Sequence, residues 1–471
     1  MNEIINFLNN IFWGYILLYG LLAVGIYFTI RLKFIQFIHF KEMFKSVFDK
    51  DETDESGISP LQALTISLAS RVGTGNLAGV AVALYLGGAG AIFWMWIVAL
   101  VGMATAYAES TLAQLYKVKD ENNQYRGGPA FYIAKGLKSP ILAGIFSISL
   151  IIAFGLIFNA VQANSIANAV GSAFNIDKMY VGYAIAAVAA LVIFGGIRGI
   201  AKIAEIVVPF MAIVYLLLAI FTMIVNYEAV PGIIALIVKS AFGLQEAVGG
   251  VTGGVLAALM NGVKRGLFSN EAGMGSAPNI AAVATPTPHH PSSQGFVQAL
   301  GVFIDTLLIC TATAVMILLA GVLDPGSGVK GIELTQQALS VHIGEAGNYF
   351  VAIAILFFAF TSIIGNYTYA ENALSYLGAG KRTWIFLLRL AAISMVIWGS
   401  YEKVQTVFNA ADAAMGLMAT INLIAIVLLS GTVAKLTKDY IEQRKAGKEP
   451  TFEAKYYPEL RDKIDISIWK K

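Results

Sequence analysis

The stretch Ser70-Arg71-Val72-Gly73-Thr74-Gly75-Asn76-Leu77-Ala78-Gly79 lies inside an apolar segment, residues 61–85, that is long enough to cross a bilayer. Glycine weakens a helix interior by about 1 kcal/mol relative to alanine, and an arginine at bilayer depth costs about 2.5–3.5 kcal/mol on insertion scales. The stretch therefore predicts a transmembrane helix that is broken near its middle. Its freed backbone groups would line a polar cavity, because irregular backbone is not tolerated against lipid. The alternative is that the small residues only allow close helix packing.

The composition is that of a membrane protein. Of 471 residues, 57% are hydrophobic and only 13% are charged, whereas about 25% are charged in a soluble domain. Apolar runs of about 20 residues recur along the chain, so we predict an all-α polytopic membrane protein made of a single domain, residues 1–471. The eleven predicted spans are 12–30, 61–85, 89–116, 141–170, 179–197, 205–226, 249–285, 295–323, 347–378, 383–399 and 405–433.

Lysine and arginine in the connecting loops predict the orientation. They are concentrated in alternate loops, all on one side of the membrane: Arg31, Lys33, Lys41, Lys45, Lys50, Lys117, Lys119, Arg126, Lys135, Lys138, Arg198, Lys202, Lys381 and Arg382. We therefore expect the N-terminus outside and the C-terminus in the cytoplasm, with residues 51–56 and the tail, residues 434–471, as solvated cytoplasmic segments. The single cysteine, Cys310, excludes an intrachain disulfide framework.

The first stretch has an echo later in the chain. Asn76-Leu77-Ala78-Gly79-Val80 is matched by Asn270-Glu271-Ala272-Gly273-Met274, which also interrupts an apolar span. The span after each interruption carries a buried acid, Glu109 in the first case and Asp305 in the second. Residues 61–226 and 249–433 therefore form two repeats of five spans. Five is odd, so the second repeat is inverted relative to the first, as in many secondary transporters.

Three motifs resemble those of the alanine or glycine:cation symporter family, over about residues 55–435. They are Gly87-Gly88-Ala89-Gly90-Ala91-Ile92-Phe93-Trp94-Met95-Trp96-Ile97-Val98-Ala99-Leu100-Val101-Gly102, Arg126-Gly127-Gly128-Pro129, and Lys264-Arg265-Gly266-Leu267-Phe268-Ser269-Asn270-Glu271-Ala272-Gly273. The resemblance implies a LeuT-like 5+5 inverted repeat preceded by one extra helix, residues 12–30. It also implies sodium-coupled uptake of small neutral amino acids such as alanine and glycine. We expect a monomer in the cell membrane with Na⁺ as coupling ion, no other cofactor and no nucleic-acid partner.

A zwitterionic amino acid needs complements for an anion and a cation, and a broken helix offers both. The N-terminus of its outer half presents N–H groups to a carboxylate, and carbonyls freed at the inner half suit Na⁺ or an ammonium group. From the two breaks, the predicted substrate-binding residues are Thr74, Gly75, Asn76, Phe268, Ser269 and Asn270. Phe268 would cover a small apolar side chain.

The resemblance adds two polar residues to the predicted substrate-binding set. Gln162 matches a polar position of the family, although an interhelical hydrogen bond would also explain it. Asn366 is a departure, because family members often carry tryptophan there. A smaller polar residue leaves serine or glutamine open as substrates.

The resemblance to LeuT-like symporters also predicts a sodium site. The hydroxyls of Thr361 and Ser362 match sodium ligands that face the first broken helix, and Gly73 lies in that break. The alternative is that both hydroxyls bond only to their own helix backbone.

Buried charges within the spans must be paired or neutral. Those predicted near the breaks are Arg71, Glu109, Arg265, Glu271 and Asp305. A pair of Glu271 with Arg71 or Arg265 would act as a gate or an internal brace. Proton coupling through Glu109 or Asp305 is the alternative.

Other functions find little support. The segment 378–383 lacks the spacing of a phosphate-binding loop and no strand precedes it. His289 and His290 follow prolines in a loop, where we expect solvated side chains rather than metal ligands. A Gly-x-Ser-x-Gly motif is absent, so we expect a protein that is not an enzyme. An amino-acid receptor or an ion channel remains the alternative outside transport, and proton coupling or amino-acid exchange the alternative within it.

Overall fold

The computed structural model describes residues 2–48, 55–121, 123–195, 197–244, 254–324, 328, 331–378 and 381–469. These residues are mostly helical. In chain order, the helices are α1 (Glu3–Arg31), α2 (Ile35–Ile38), α3 (Phe40–Phe48), α4 (Pro60–Arg71), α5 (Gly75–Gly87), α6 (Gly90–Leu115), α7 (Pro129–Gly136), α8 (Pro140–Phe174), α9 (Lys178–Gly195), α10 (Ile197–Val225), α11 (Val230–Ala241), α12 (Val255–Asn270), α13 (Pro278–Val283), α14 (Pro291–Ala320), α15 (Ile332–Ile343), α16 (Ala346–Tyr376), α17 (Arg382–Tyr401), α18 (Val404–Leu428) and α19 (Ser430–Lys445).

The apolar helices are those of a polytopic membrane protein. In the described part of the chain, seven helices are long and apolar enough to cross a membrane, namely α1, α6, α8, α14, α16, α17 and α18. An eighth span arises if Pro209–Val225 and α11, which are bent by 105° at a short break, count as one. The expected count of eleven stays a prediction, because 61–85 and 249–285 are each split into two short helices and α9 is short. The sequence analysis missed α11.

Both predicted interruptions are present. Helix α4 begins at a capping box, in which the Ser59 hydroxyl accepts from the Gln62 amide and Gln62 accepts from the Ser59 amide, both at 3.1 Å. It ends at Arg71, Val72 is extended, and the chain becomes helical again through a wide π-type turn at Gly75–Gly79. We call α4 and α5 the first broken helix.

The second broken helix consists of α12 and α13. Helix α12 ends at Asn270, and Glu271 then adopts a left-handed conformation with φ 59°. Two glycines at positive φ, Gly273 and Gly275, continue the turn before α13 begins at Pro278. Glycine populates this region without a steric penalty, which explains why glycines follow the acid here.

The remaining helices hold the two broken ones in the centre of the molecule. Helix α6 packs against α12 and α14, and α8 packs against α16 and α17. The strands β1 (Val118–Lys119) and β2 (Tyr125–Arg126) pair antiparallel in the loop before α7, with Val118 opposite Arg126. The short helices α7 and α15 lie in the connections before α8 and α16. The side chains of Arg198 and Lys202, most of the 51–56 segment and residues 379–380 lie outside the described residues.

The tail is not the solvated segment that the sequence analysis expected. Helix α19 continues α18 to Lys445, and the apolar side chains of Phe452, Leu460 and Trp469 are buried. The Trp469 indole donates to the Leu115 carbonyl at 3.3 Å, and the Phe452 amide donates to the His289 carbonyl at 2.9 Å. Phe452 and Trp469 are separated in a polar stretch of sequence, but their rings contact each other beside the end of α6 and the start of α14.

The expectation for His290 is also wrong. Its side chain is fully buried, not solvated. Its Nδ1 accepts from the Ser292 amide at 3.1 Å and so caps α14, while Nε2 lies 3.3 Å from an Asp439 carboxylate oxygen. The capped nitrogen must be unprotonated, so the imidazole is neutral and donates through Nε2 to α19.

We expect the folded protein to lose stability on mild acidification through this residue. Burial lowers the pKa of His290 below its ordinary value, against the opposing effect of Asp439. The unfolded chain therefore takes up a proton below about pH 6.5 that the folded chain refuses, and stability falls as the pH falls through that value. The thermal unfolding midpoint in detergent should drop between about pH 7.5 and 5.5. His290→Asn keeps a cap without titrating, so its drop should be smaller; an equal drop contradicts the assignment.

Candidate functional site

The two broken helices touch at their breaks. A methyl group added at Gly75 would lie 2.9 Å from the Cα atom of Ser269. Only a residue without a side chain permits this approach. The contact brings together Thr74, Asn76 and Asn270, all of them buried, so five of the predicted substrate-binding residues share one place.

Asp305 on α14 ties the two breaks together. One of its carboxylate oxygens accepts from the Asn76 amide at 2.7 Å, and the other accepts from the Ser269 hydroxyl at 2.8 Å. The Thr306 hydroxyl adds a third bond at 2.7 Å. The Sγ atom of Cys310 lies 3.4 Å from Asn76 and 3.2 Å from Ser269. The acid predicted as a buried charge therefore bonds to both halves of the site.

Side chains satisfy the N–H groups freed at the first break. The Gly73 amide donates to the Asn76 side-chain oxygen at 3.0 Å, and the Thr74 amide donates to Gln162 Oε1 at 3.1 Å. Gln162 thus lies at the first break. Its bond also fits the alternative, an interhelical hydrogen bond.

Three predicted substrate-binding residues keep polar atoms without a partner in the described part of the chain. They are the Thr74 hydroxyl oxygen and the side-chain amide nitrogens of Asn270 and Asn366. A buried polar group left unsatisfied costs about 1–3 kcal/mol. Asn366 lies beside α4, where its oxygen is 3.3 Å from the Ser70 hydroxyl. Unsatisfied donors and acceptors at one place are typical of a site that completes its hydrogen bonds with a polar ligand.

The two hydroxyls of the predicted sodium site face the end of α4. The Ser362 hydroxyl bonds to the Ala69 carbonyl at 2.9 Å, and that of Thr361 lies 3.4 Å from the same oxygen. Both also bond to the Phe358 carbonyl of their own helix, at 3.0 and 2.9 Å. A Cβ at Gly73 would be 2.6 Å from the Ser362 hydroxyl. Four oxygens, two of them carbonyls, therefore converge where the helix breaks.

Phe268 belongs to an aromatic stack. Its ring is 4.8 Å from that of Phe158 at an interplanar angle of 21°, and 5.4 Å from that of Phe408. Phe154 stacks on the other side of Phe158 at 4.5 Å. The stack forms an apolar wall directly before the second break. The sequence analysis did not single out Phe158 or Phe408, because aromatic residues in an apolar span are most often lipid-facing or core residues.

The two acids next to the second break accept hydrogen bonds from neutral groups. Glu271 accepts from the hydroxyls of Ser70 and Ser276. Glu109 accepts from the Gly273 amide at 3.1 Å and from Asn422 at 2.7 Å. Both side chains therefore brace the turn against α4, α6 and α18.

The expected pair of Glu271 with an arginine is not formed. Arg265 forms its ion pair with Asp412 on α18. Arg71 donates to the Gln298 carbonyl at 3.3 Å, and its other guanidinium nitrogens have no partner in the described residues. Sequence reasoning missed Asp412, although an acid inside the span 405–433 was a usable signal. It also missed the carbonyls of Ala69 and Phe358, which have no signal in the sequence.

Comparisons with known proteins give a match to a family profile and to individual relatives. The profile of the sodium:alanine symporter family matches residues 1–454. The amino-acid carrier protein AlsT of Bacillus subtilis is 50% identical over 461 residues, which covers 98% of this chain and 97% of the relative. The probable sodium/glutamine symporter GlnT of the same organism is 47% identical, over 100% and 96% of the two chains. The sodium/alanine symporter AgcS of Methanococcus maripaludis is 41% identical, over 94% and 98%.

The contact of the two breaks gives a test with a matched control. Gly75→Ala places a methyl group against the Ser269 backbone, which cannot move aside as a flexible side chain would. Overpacking of this kind costs about 1–3 kcal/mol, so we expect the uptake of a labelled amino acid into proteoliposomes to fall about tenfold or more. Gly79→Ala meets its nearest atoms only at 3.6 and 4.0 Å and should retain normal uptake. Equal uptake by the two variants would show that the close approach is not required.

Proposed function

Because this chain belongs to the sodium:alanine symporter family, we propose that it carries small neutral amino acids, foremost alanine and glycine, into the cell together with Na⁺. The observation that carries the proposal is the meeting of two broken helices at Gly75 and Ser269. Breaks that meet in the centre of a membrane protein place helix termini and free carbonyls where a zwitterion and its coupling ion need them.

We propose eleven spans in a LeuT-like 5+5 inverted repeat after one extra helix. Helix α1 is the extra one. The first repeat, residues 61–226, would consist of α4–α5, α6, α8, α9 and α10, and the second, residues 249–433, of α12–α13, α14, α16, α17 and α18. In support, the broken helix comes first in each repeat. The basic loops favour an N-terminus outside and a cytoplasmic C-terminus, in a chain that works as a monomer in the plasma membrane.

The first break supplies the anion complement. Helix α5 begins at Gly75, so its positive dipole end and the hydroxyl of Thr74 point to a substrate carboxylate in the proposed site. The amides of Asn270 and Asn366 have free donors for polar atoms of the substrate. Phe268 closes the apolar side. A small side chain such as the methyl group of alanine fits this arrangement without further polar contacts.

The sodium ion would bind between the first broken helix and α16. The carbonyls of Ala69 and Phe358 and the hydroxyls of Thr361 and Ser362 form an uncharged oxygen set, and Gly73 leaves room beside it. Hard Na⁺ prefers oxygen, and a neutral set releases it readily. Sodium bound there holds the end of α4 against α16 and so fixes the break in the shape that binds substrate. This linkage makes the affinities for ion and amino acid depend on each other.

Transport then follows by alternating access, with the two broken helices and their neighbours rocking against the remaining helices. Glutamine or serine is the second substrate class that we propose. Asn366 is buried and has an unpartnered amide nitrogen suited to a polar side chain, and one relative has the name of a probable sodium/glutamine symporter.

Uptake of labelled alanine, glycine, serine and glutamine into proteoliposomes tests the proposal. We expect accumulation driven by an inward sodium gradient and abolished without it. Uptake that ignores sodium but follows a pH gradient would overturn sodium coupling and favour a proton carried by Glu109 or Asp305. Current in excess of substrate flux would indicate a channel instead.

Removing both hydroxyls tests the sodium site. We expect Thr361→Ala with Ser362→Ala to raise the sodium concentration for half-maximal uptake about tenfold, since the loss of two oxygen contacts worth about 0.7 kcal/mol each totals about 1.4 kcal/mol. Thr368→Ala is the matched control, because the Thr368 hydroxyl donates to the Ile364 carbonyl of its own helix, at 3.0 Å, and not to the first broken helix. An unchanged sodium dependence in the double variant would place the ion elsewhere.

The side chain at position 366 should set the substrate range. Asn366→Trp fills space beside the breaks, so we expect glutamine uptake to fall relative to alanine uptake by about tenfold. Asn366→Ala removes the amide without adding bulk and should not exclude large substrates. If the ratio of glutamine to alanine uptake is the same in wild type and Asn366→Trp, the residue does not determine specificity.

A further inference from the structure

A cation lies on the aromatic wall of the site. The guanidinium carbon of Arg265 is 5.0 Å from the Phe408 ring centroid and 5.5 Å from that of Phe268. Arg265 precedes Phe268 by one helical turn on α12, so it lies on the side of the wall away from the break. In the proposed orientation this is the outer side. We call Phe158, Phe268, Phe408 and Arg265 the outer plug.

Asp412 holds this arginine in place. The Arg265 guanidinium forms an ion pair with one Asp412 oxygen, and Lys264 lies 3.8 Å from the other. The side chains of Arg265 and Asp412 are only 3% and 6% exposed. The remaining Arg265 nitrogens have no partner in the described residues, so Asp412 is the group that fixes the guanidinium over the rings. Desolvation strengthens such a pair and makes the loss of one partner costly.

The extra N-terminal helix fixes Asp412 in turn. The Trp13 indole, fully buried, donates to the Asp412 carbonyl at 3.0 Å. One turn earlier, the Asn9 amide donates to the Asn409 carbonyl at 3.0 Å. One turn later, a Cβ at Gly416 would lie 2.8 Å from the Phe12 side chain, so the helices are in close contact there. Helix α1 thus binds the beginning of α18 along three successive turns.

We propose that Asp412 is a positioning residue that closes the substrate site on its outer side, with α1 as its fixed support. It holds Arg265 against Phe268 and Phe408, and Arg265 belongs to the broken helix that must move for substrate to enter. Opening the site outward separates Arg265 from Asp412, while Asp412 stays with α1. This inference rests on the proposed function, because the proposed function places the substrate at the two breaks.

The chain contains its own reporter for this closure. Cys310 is the single cysteine, and its Sγ contacts Asn76 and Ser269 on the inner side of the plug. A small cationic methanethiosulfonate reagent that does not cross membranes reaches it only through an open site. The rate of labelling from the outer side, in sodium-free buffer, therefore measures opening of the plug without requiring transport. Cys310→Ser sets the background.

We expect Asp412→Asn to label about tenfold faster than wild type, because the loss of the pair shifts the equilibrium toward the open state. Trp13→Phe, which removes only the indole donor, should label at an intermediate rate. The KM for alanine should rise in both variants. Glu345→Gln removes an exposed acid elsewhere and should match wild type.

Two outcomes overturn the proposal. One is an unchanged labelling rate in both Asp412→Asn and Trp13→Phe. If Asp412→Asn does not fold, the labelling rate of Trp13→Phe decides. The other is faster labelling only from the inner side. Sodium-dependent alanine uptake by wild type is measured in the same preparation: its absence would refute the proposed function, whereas its presence with unchanged labelling would refute only the role of Asp412.

Discussion

Hydrocarbon offers no hydrogen bonds, so every backbone group freed at a helix break must find its partner inside the protein. This constraint explains most of the polar side chains in the centre of the molecule. Asn76 and Gln162 accept from the amides of Gly73 and Thr74. Glu109 accepts from the Gly273 amide at the second break. The residues that bind the freed backbone are therefore also the residues that shape the site, and the position of α6 and α8 follows from the need to deliver them.

The buried acids near the breaks are also held by hydrogen bonds. Glu109, Glu271 and Asp305 accept hydrogen bonds from hydroxyls and amides, and the buried Arg71 guanidinium interacts with all three electrostatically. Arg265, by contrast, forms an ion pair with Asp412. Ionisable groups of both signs are therefore buried around the breaks, and the four oxygens beside Thr361 and Ser362 are a separate, uncharged set.

The breaks could be predicted because glycine and arginine destabilise a helix inside an apolar span, so their presence there indicates a special conformation. Thr361 and Ser362 were predicted by resemblance, but the Ala69 carbonyl that faces them is a backbone atom and has no sequence signal. Arg265 was predicted as a possible partner of Glu271, which follows it closely in the sequence, whereas its actual partner Asp412 is near only in space. The breaks also explain why the structure contains only seven or eight helices of spanning length among the described residues, against the eleven predicted. Each broken helix is divided into two pieces, α4 with α5 and α12 with α13, and each piece is too short to be recognised as a span.

The contact of α1 with α18 has a consequence for assembly. The Trp13 indole and the Asp412 carbonyl are 399 residues apart in the chain, so α1 is synthesised long before its contact on α18. Until α18 is made, the Trp13 indole lacks this acceptor. The Trp469 indole, which bonds to Leu115, arrives later still. A chain truncated or stalled before α18 therefore leaves the Trp13 end of α1 without its α18 contacts, although the later turns of α1 can already pack against α6, where a Cβ at Gly25 would lie 2.6 Å from Val101.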